Sequence, residues 1–197
     1  MKRSDFRKTI LFLAVCLLGV SAAGLAAGKT SSDDPPDYKA GGVIFSVPSH
    51  WPPVTPDSRM RLFQFEVPPP DPVLGTADLS VFYFGPGMGG SVEDNLERWK
   101  SEFTVKDPGF PPFADERLVN GMKVTTIQIE GTFQSGMPGG ERTPKSGWGV
   151  AGAIVEGPEG LVFFKMSGPV HTVRSARILF DLMTGSMKPA PGANPAA

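Results

Sequence analysis

The fold class is decided by residues 116–133, which read ERLVNGMKVTTIQIEGTF. Two runs of apolar and β-branched residues flank the dipeptide Asn120-Gly121. Both central residues of a tight two-residue hairpin need positive φ, which Asn and Gly tolerate. The stretch therefore predicts two antiparallel strands, Glu116–Val119 and Met122–Phe133, joined by a hairpin.

Further strand-like runs lie on both sides of this hairpin and are separated by short turn signals. The turn residues 157–160 close a second hairpin between Gly147–Glu156 and Leu161–Ser167. Consecutive hairpins produce antiparallel neighbours, and the short links disfavour parallel crossover units. The strands predicted nearer the N-terminus are Val43–Val47, Met60–Val67 and Leu79–Phe84.

Two segments have the periodicity of amphipathic helices. Ser91–Phe103 carries apolar residues at helical spacing, and Ser91 with Asp94 predicts a capping box at its start. In Thr172–Met187 the apolar positions are Val173, Ala176, Phe180, Met183 and Met187. Each helix has one apolar face to bury against a sheet. We therefore predict an α+β fold with a mainly antiparallel sheet of about six to seven strands packed with helices.

The chain of 197 residues has the length of one ordinary domain. Residues 1–28 have the basic start, the apolar run and the small residues of a secretory signal peptide. Residues 29–42 are polar and rich in Pro and Gly, and they are predicted to be a linker. Residues 188–197 are predicted to be a disordered Pro/Ala tail, so the single α+β domain is expected over residues 43–187.

The signal sequence predicts a secreted or periplasmic protein. The alternative is a membrane-anchored protein with an uncleaved N-terminal helix, because the uncharged run Ile10–Ala27 reaches the lower limit for spanning a bilayer. The small residues in its second half favour cleavage, after which we expect no stable membrane insertion. The one cysteine, Cys16, lies in this run, so a cleaved chain would contain no disulfide.

The charge balance argues against a nucleic-acid partner. The chain has 19 Lys and Arg against 20 Asp and Glu. The first 28 residues hold four of the bases and one of the acids, which leaves 15 bases and 19 acids. A protein that binds phosphate backbones through electrostatics needs a basic excess, which this chain lacks.

The glycine-rich segment Gly85-Pro-Gly-Met-Gly-Gly90 matches the pattern G-x-G-x-x-G. That pattern binds dinucleotides inside a parallel strand–helix–strand unit. Here the following helix leads into the Pro/Gly-rich segment 107–112 and not directly into a parallel strand. We interpret the segment as a turn that uses glycine for positive φ, and we predict no cofactor.

Few residues are suited to catalysis or metal binding. His50 and His171 are the only histidines, and the chain has neither a G-x-S-x-G nucleophile motif nor a spaced metal-ligand set. We predict no metal site and assign no catalytic residue. A hydrolase remains the alternative, with Asp115, Glu116, Glu141 and His171 converging only in the folded protein.

Aromatic residues suggest where the core lies. The phenylalanines expected in the core are Phe63, Phe65, Phe82, Phe84, Phe163 and Phe164. Trp51 and Trp148 adjoin Pro/Gly-rich loops, so they are interpreted either as core cover or as a binding platform. The segment Gln134–Ser146 is predicted to be a long loop.

In the segments Val81–Trp99 and Phe163–Phe180, the chain resembles uncharacterised exported bacterial proteins with a PsbP-like fold. The resemblance covers most of residues 43–187 and implies an antiparallel sheet between helices. It supplies no cofactor or metal position to transfer, and a shared fold does not carry function. We therefore expect an exported, non-enzymatic binding or accessory protein of the cell envelope, with an envelope protein as a possible partner. The sequence leaves the ligand and the oligomeric state open.

Overall fold

The computed structural model of the protein describes residues 36–135 and 143–192. The helices in this part are α1 (Val92–Ser101) and α2 (Val170–Gly185), with a short 3₁₀ turn at Pro72–Leu74. The strands are β1 (Asp37–Ala40), β2 (Val43–Ser46), β3 (Pro53–Val54), β4 (Phe63–Val67), β5 (Ala77–Tyr83), β6 (Phe103–Lys106), β7 (Phe113–Val119), β8 (Met122–Ser135), β9 (Thr143–Gly157), β10 (Gly160–Pro169) and β11 (Lys188–Pro189).

The main sheet has eight strands, in the order β3-β4-β5-β10-β9-β8-β6, with β7 also paired to β8. All of these pairs are antiparallel. The strand β8 is long enough to pair with two short strands in succession, with β7 along Met122–Gln128 and with β6 along Gly131–Phe133. The predicted α+β class with a mainly antiparallel sheet is confirmed.

The hairpin that decides the fold forms where the sequence predicts it. Val119 pairs with Met122 across the turn, and Asn120 and Gly121 have φ values of 49° and 84°. Asn120 also donates a hydrogen bond from Nδ2 to the carbonyl oxygen of Met187 at 2.7 Å. The turn is thereby tied to the chain segment that follows α2.

A second, three-stranded sheet has the order β1-β2-β11. Its outer strands correct part of the predicted linker at 29–42 and part of the predicted disordered tail at 188–197, because β1 and β11 both pair with β2. Residues 29–35 and 193–197 lie outside the described residues. Ala40 and Ala190 are buried, and the amide of Ala190 donates to the carbonyl of Gly42 at 2.7 Å. The folded region therefore extends beyond the predicted limits of 43–187. The predicted signal peptide at 1–28 lies outside the described residues.

The main sheet separates two layers of core. On one face, called the α2 face below, apolar side chains pack with α2 and the small sheet, including Phe45, Phe164 and Phe180. On the other face, the α1 face, a second cluster surrounds Trp99 of α1 and includes Ile154 and Phe163. Side chains alternate between these faces along each strand, so Phe163 and Lys165 belong to the α1 face and Phe164 to the α2 face.

Both predicted helices are present. The Oγ of Ser91 accepts a hydrogen bond from the amide of Asp94 at 3.0 Å, which confirms the predicted cap of α1. All five apolar positions predicted for the second helix are buried, although Met187 lies just beyond the end of α2. Within the described residues, neither helix is long and apolar enough to cross a membrane.

Three local predictions need correction. Phe84 was expected in the core and is 41% exposed. The predicted loop Gln134–Ser146 is shorter, because β8 continues to Ser135 and β9 begins at Thr143, while residues 136–142 lie outside the described residues. Phe103 ends the predicted helix but starts β6, where its ring packs against Phe133 at a centroid distance of 5.5 Å.

Candidate functional site

A cavity of about 180 Å³ opens on the α1 face, beside α1 and the end of β5. Its lining combines aromatic side chains with three charged groups. The lining residues are Met60, Phe82, Phe84, Arg98, Trp99, Glu102, Phe163 and Lys165.

The apolar wall comes from three elements. Phe82 lies on β5 and Phe84 directly follows the strand, so both point to the α1 face. Their rings stack with centroids 6.3 Å apart, and the ring centroid of Phe84 lies 5.9 Å from that of Phe163 on β10. Trp99 of α1 is buried beside them. The exposure of Phe84 thus has a structural reason, because its ring borders an open cavity.

Lys165 is the central charged group of the site. It lies on β10, opposite Ser80 of β5 and Gly152 of β9, so its side chain enters the middle of the α1 face. The side chain is only 15% exposed, and its ammonium group pairs with the carboxylate of Glu102. Glu102 caps the C-terminal end of α1, so the helix and the sheet are joined by this pair.

The surroundings of Lys165 disfavour its charged form. Burial lowers the pKa of Lys165 below its ordinary value of 10.5. The nearby guanidinium groups of Arg98 and Arg61 act in the same direction, while the Glu102 carboxylate opposes them. The Nζ atom also lies 5.8 Å from the ring centroids of Trp99 and Phe133. Cation–π attraction to these rings partly offsets the cost of burying the ammonium group.

Arg98 brings a second cation to the cavity. Its Nη2 donates a hydrogen bond to Oδ1 of the buried Asn95. No salt bridge joins Arg98 to a carboxylate in the described part of the chain. The cavity lining therefore carries two cationic side chains and one carboxylate.

The glycine-rich segment supports this site and has the predicted turn geometry. The four glycines of residues 85–90 all have positive φ, between 68° and 103°. The carbonyl of Gly89 accepts a hydrogen bond from Nδ2 of Asn95 at 2.7 Å. The turn therefore positions Asn95, whose Oδ1 accepts the hydrogen bond from Arg98. The strand before the turn, β5, has antiparallel partners on both sides, unlike the strand of a dinucleotide-binding unit.

The residues named for a hydrolase are not gathered in one place. Asp115 and Glu116 are neighbours on β7 and therefore point to opposite faces of the sheet. Glu116 contacts Lys123 at 3.7 Å. His171 lines a different cavity, of about 360 Å³, to which neither carboxylate contributes. Glu141 lies outside the described residues.

A second polar cluster occupies the α2 face. The carboxylate of Glu130 is buried and accepts hydrogen bonds from both Nε and Nη2 of Arg174. The Arg174 guanidinium also lies 5.0 Å from the ring centroid of Phe110. The Glu130 pair raises the pKa of Arg174 through hydrogen bonding. The Arg174 guanidinium and the Glu130 carboxylate neutralise each other, which is typical of a structural ion pair.

Sequence reasoning did not single out Lys165, Glu102 or Arg98. One signal was available, because Lys165 interrupts the otherwise apolar run LVFFKM at residues 161–166. A lysine in a central strand must find a partner or shift its pKa. That partner, Glu102, is 63 residues away in sequence, so the pattern alone could not identify it.

Comparison with solved structures identifies the architecture. The fold is similar to the solution structure of cyanobacterial PsbP (CyanoP) from Synechocystis sp. PCC 6803, with a TM-score of 0.52 and 14% sequence identity. The match covers 82% of this chain and 96% of that chain. No family model matches the chain, and a search of curated proteins gave no match. At this level of identity the similarity concerns the fold alone. The protein therefore has a PsbP-like α+β fold.

Proposed function

We propose that the protein is an exported, non-enzymatic binding protein of the cell envelope, and that it holds a small amphipathic anion in the cavity beside Lys165. Export rests on the sequence of residues 1–28. The binding proposal rests on one observation, an open aromatic cavity whose lining carries two cationic side chains, Arg98 and Lys165, and only one carboxylate, Glu102.

The composition of the cavity favours a small organic ligand. Ligand sites are mostly apolar and contain a few polar groups that fix the orientation of the ligand. Here Phe82, Phe84, Trp99 and Phe163 form the apolar part. The volume of about 180 Å³ slightly exceeds that of an engineered apolar cavity of roughly 150 Å³ that binds benzene. One aromatic ring or a short alkyl chain therefore fits.

The charges favour an anion. Glu102 already pairs with Lys165, while Arg98 has only the amide oxygen of Asn95 as its partner within the described residues. A guanidinium group binds a carboxylate through two parallel hydrogen bonds. A ligand whose carboxylate binds Arg98 would place its apolar part against the aromatic wall of the cavity.

An accessory role in the envelope is part of the same proposal. Met60, Leu62 and Phe84 are exposed at or near the cavity, at 65%, 44% and 41%. Exposed apolar residues of this kind often contact another molecule. We also propose that the chain belongs with the exported bacterial proteins that its segments 81–99 and 163–180 resemble.

Isothermal titration calorimetry with phenylacetate and its neutral analogue 2-phenylethanol tests the binding proposal. We expect phenylacetate to bind more tightly than the alcohol, and Arg98→Gln to weaken phenylacetate binding by about tenfold or more, because a charge-assisted contact is lost. Lys100→Gln is the matched control, since Lys100 lies on the same helix and pairs with Glu97. Absence of phenylacetate binding, or equal weakening by the two substitutions, would contradict the proposal.

A further inference from the structure

We propose that Lys165 is a carbonyl-reactive amine, which forms a reversible imine with small aldehydes that enter the cavity on the α1 face. This inference rests on the proposed function, because it requires the cavity to admit a small organic molecule. It adds a covalent reaction to a site otherwise assigned to binding.

Among the lysines that form salt bridges in the described part of the chain, Lys165 has a different position from the other two. Its side chain is 15% exposed and lines a cavity, whereas the side chains of Lys100 and Lys123 are 32% and 45% exposed. Lys165 is also the one lysine among the residues that line this cavity. An aldehyde in the cavity would therefore meet a single amine, held by a strand at the centre of the sheet.

The surroundings of Lys165 make its neutral amine form more accessible than that of an exposed lysine. Burial lowers its pKa, Arg98 and Arg61 act in the same direction, and the Glu102 carboxylate that faces it acts in the opposite direction. A lysine becomes nucleophilic when it is desolvated or lies next to another cationic group, and both conditions occur here. The proton that leaves the ammonium group has an acceptor in contact, the carboxylate of Glu102.

The reaction is balanced without an oxidant or a reductant. The lone pair of Nζ attacks the carbonyl carbon, a C–N bond forms, and the carbonyl oxygen takes a proton to become a hydroxyl group. That proton comes from the amine nitrogen. Protonation of the hydroxyl group by Glu102 then releases it as water and gives the protonated imine, in which the nitrogen keeps the second amine hydrogen. The water carries one hydrogen of the neutral amine and the proton that Glu102 took from the ammonium group. Glu102 is placed to receive the first proton and to return it to the leaving hydroxyl group.

The cavity walls select the aldehyde. The rings of Phe82, Phe84 and Phe163 would contact an apolar substituent and hold its carbonyl group near Nζ. An aromatic aldehyde is therefore the appropriate probe. Partial exclusion of water by the same rings favours the dehydrated imine.

Reductive trapping tests the inference. The whole protein is incubated with benzaldehyde and sodium cyanoborohydride, which reduces an imine to a stable benzyl amine, and labelled lysines are located by peptide mass spectrometry. We expect labelling of Lys165 to be at least about tenfold faster than that of Lys100, and to disappear from this position in Lys165→Arg.

A competition experiment with phenylacetate uses the protein without substitutions, so its result does not depend on whether the variants fold. Phenylacetate should slow the labelling of Lys165 without slowing that of Lys100. If phenylacetate binds in calorimetry but Lys165 is labelled no faster than Lys100, the imine inference is wrong and the binding proposal stands. If phenylacetate neither binds nor competes, both are wrong.

Discussion

Gly152 of β9 and Trp99 of α1 are in direct contact, and a β-carbon at Gly152 would lie 2.4 Å from Cζ3 of the Trp99 indole. Gly152 is also paired in register with Lys165 on β10 and with Ile127 on β8. The indole therefore lies against backbone at the middle of the α1 face. This contact sets the position of α1 beside the cavity.

Replacing Gly152 with alanine should destabilise the protein by about 1–3 kcal/mol, because the added methyl group overpacks against Trp99. Urea denaturation measures the change in the free energy of unfolding. Gly149→Ala is the matched control on the same strand, since its β-carbon would meet neighbours at 3.4 Å, an ordinary contact distance. Equal losses in the two variants would contradict the close packing of Trp99 on Gly152.

The glycine-rich turn allows a second comparison, between Gly87 and Gly89. Both have positive φ, at 68° and 97°, so alanine at either position should lower stability by about 1 kcal/mol. Gly89→Ala should lower stability more than Gly87→Ala. A β-carbon at Gly89 would lie 2.9 Å from Cε2 of Phe163, whereas a β-carbon at Gly87 would have no neighbour within 4 Å. Thermal unfolding of the two variants gives the order. A Gly87→Ala variant that is the less stable of the two would contradict the close approach of Gly89 to Phe163.

The predictable parts of the fold are those encoded by neighbouring residues. Asn120-Gly121 specifies its hairpin through local backbone preferences, and the stripe on α2 specifies its buried face through helical spacing. The strand β1 also had a local signal, because it pairs with β2 across the two-residue turn Gly41-Gly42, in which both glycines have positive φ. The strand β11 was not predictable in this way. It pairs with β2, which lies more than 140 residues away in sequence, and this distant strand supplies its hydrogen bonds.

The candidate site was less predictable than the fold. The phenylalanines of the cavity wall were predicted to lie in strands. Phe84 was predicted to be a core residue, but it follows the end of β5 and is 41% exposed. The Lys165–Glu102 pair joins a central strand to the end of α1. Such a contact depends on where α1 packs, which Gly152 and Trp99 determine through three-dimensional packing.

The apolar stripe on α2 predicts a large effect for Phe180→Ala. Phe180 is 1% exposed in the core on the α2 face, so its truncation should lower stability by about 3–5 kcal/mol. Ile178 lies on the same helix and is 72% exposed, so Ile178→Ala should change stability by less than about 0.5 kcal/mol. A melting temperature that is unchanged by Phe180→Ala would contradict the packing of α2 on the sheet.

The lowered pKa of Lys165 predicts a specific dependence of stability on pH. In the unfolded chain Lys165 titrates at its ordinary value of 10.5, and in the folded protein it titrates lower because of burial. Between these two values the unfolded chain binds more protons than the folded protein, so this group makes stability rise with pH. Urea denaturation across alkaline pH should show this rise relative to Lys165→Met. A wild-type protein that loses stability relative to Lys165→Met in that range would contradict it.

Binding of an anion in the cavity beside Lys165 can be observed directly by titrating ¹⁵N-labelled protein with phenylacetate and recording two-dimensional NMR spectra. We expect the signals of the indole N–H of Trp99 and of the backbone amides of Phe82 and Lys165 to shift together and to saturate. The indole N–H of Trp51, which is buried on the α2 face, should not move. Absence of saturable shifts, or shifts confined to the region of Phe110 and Arg174, would contradict a ligand site beside Lys165.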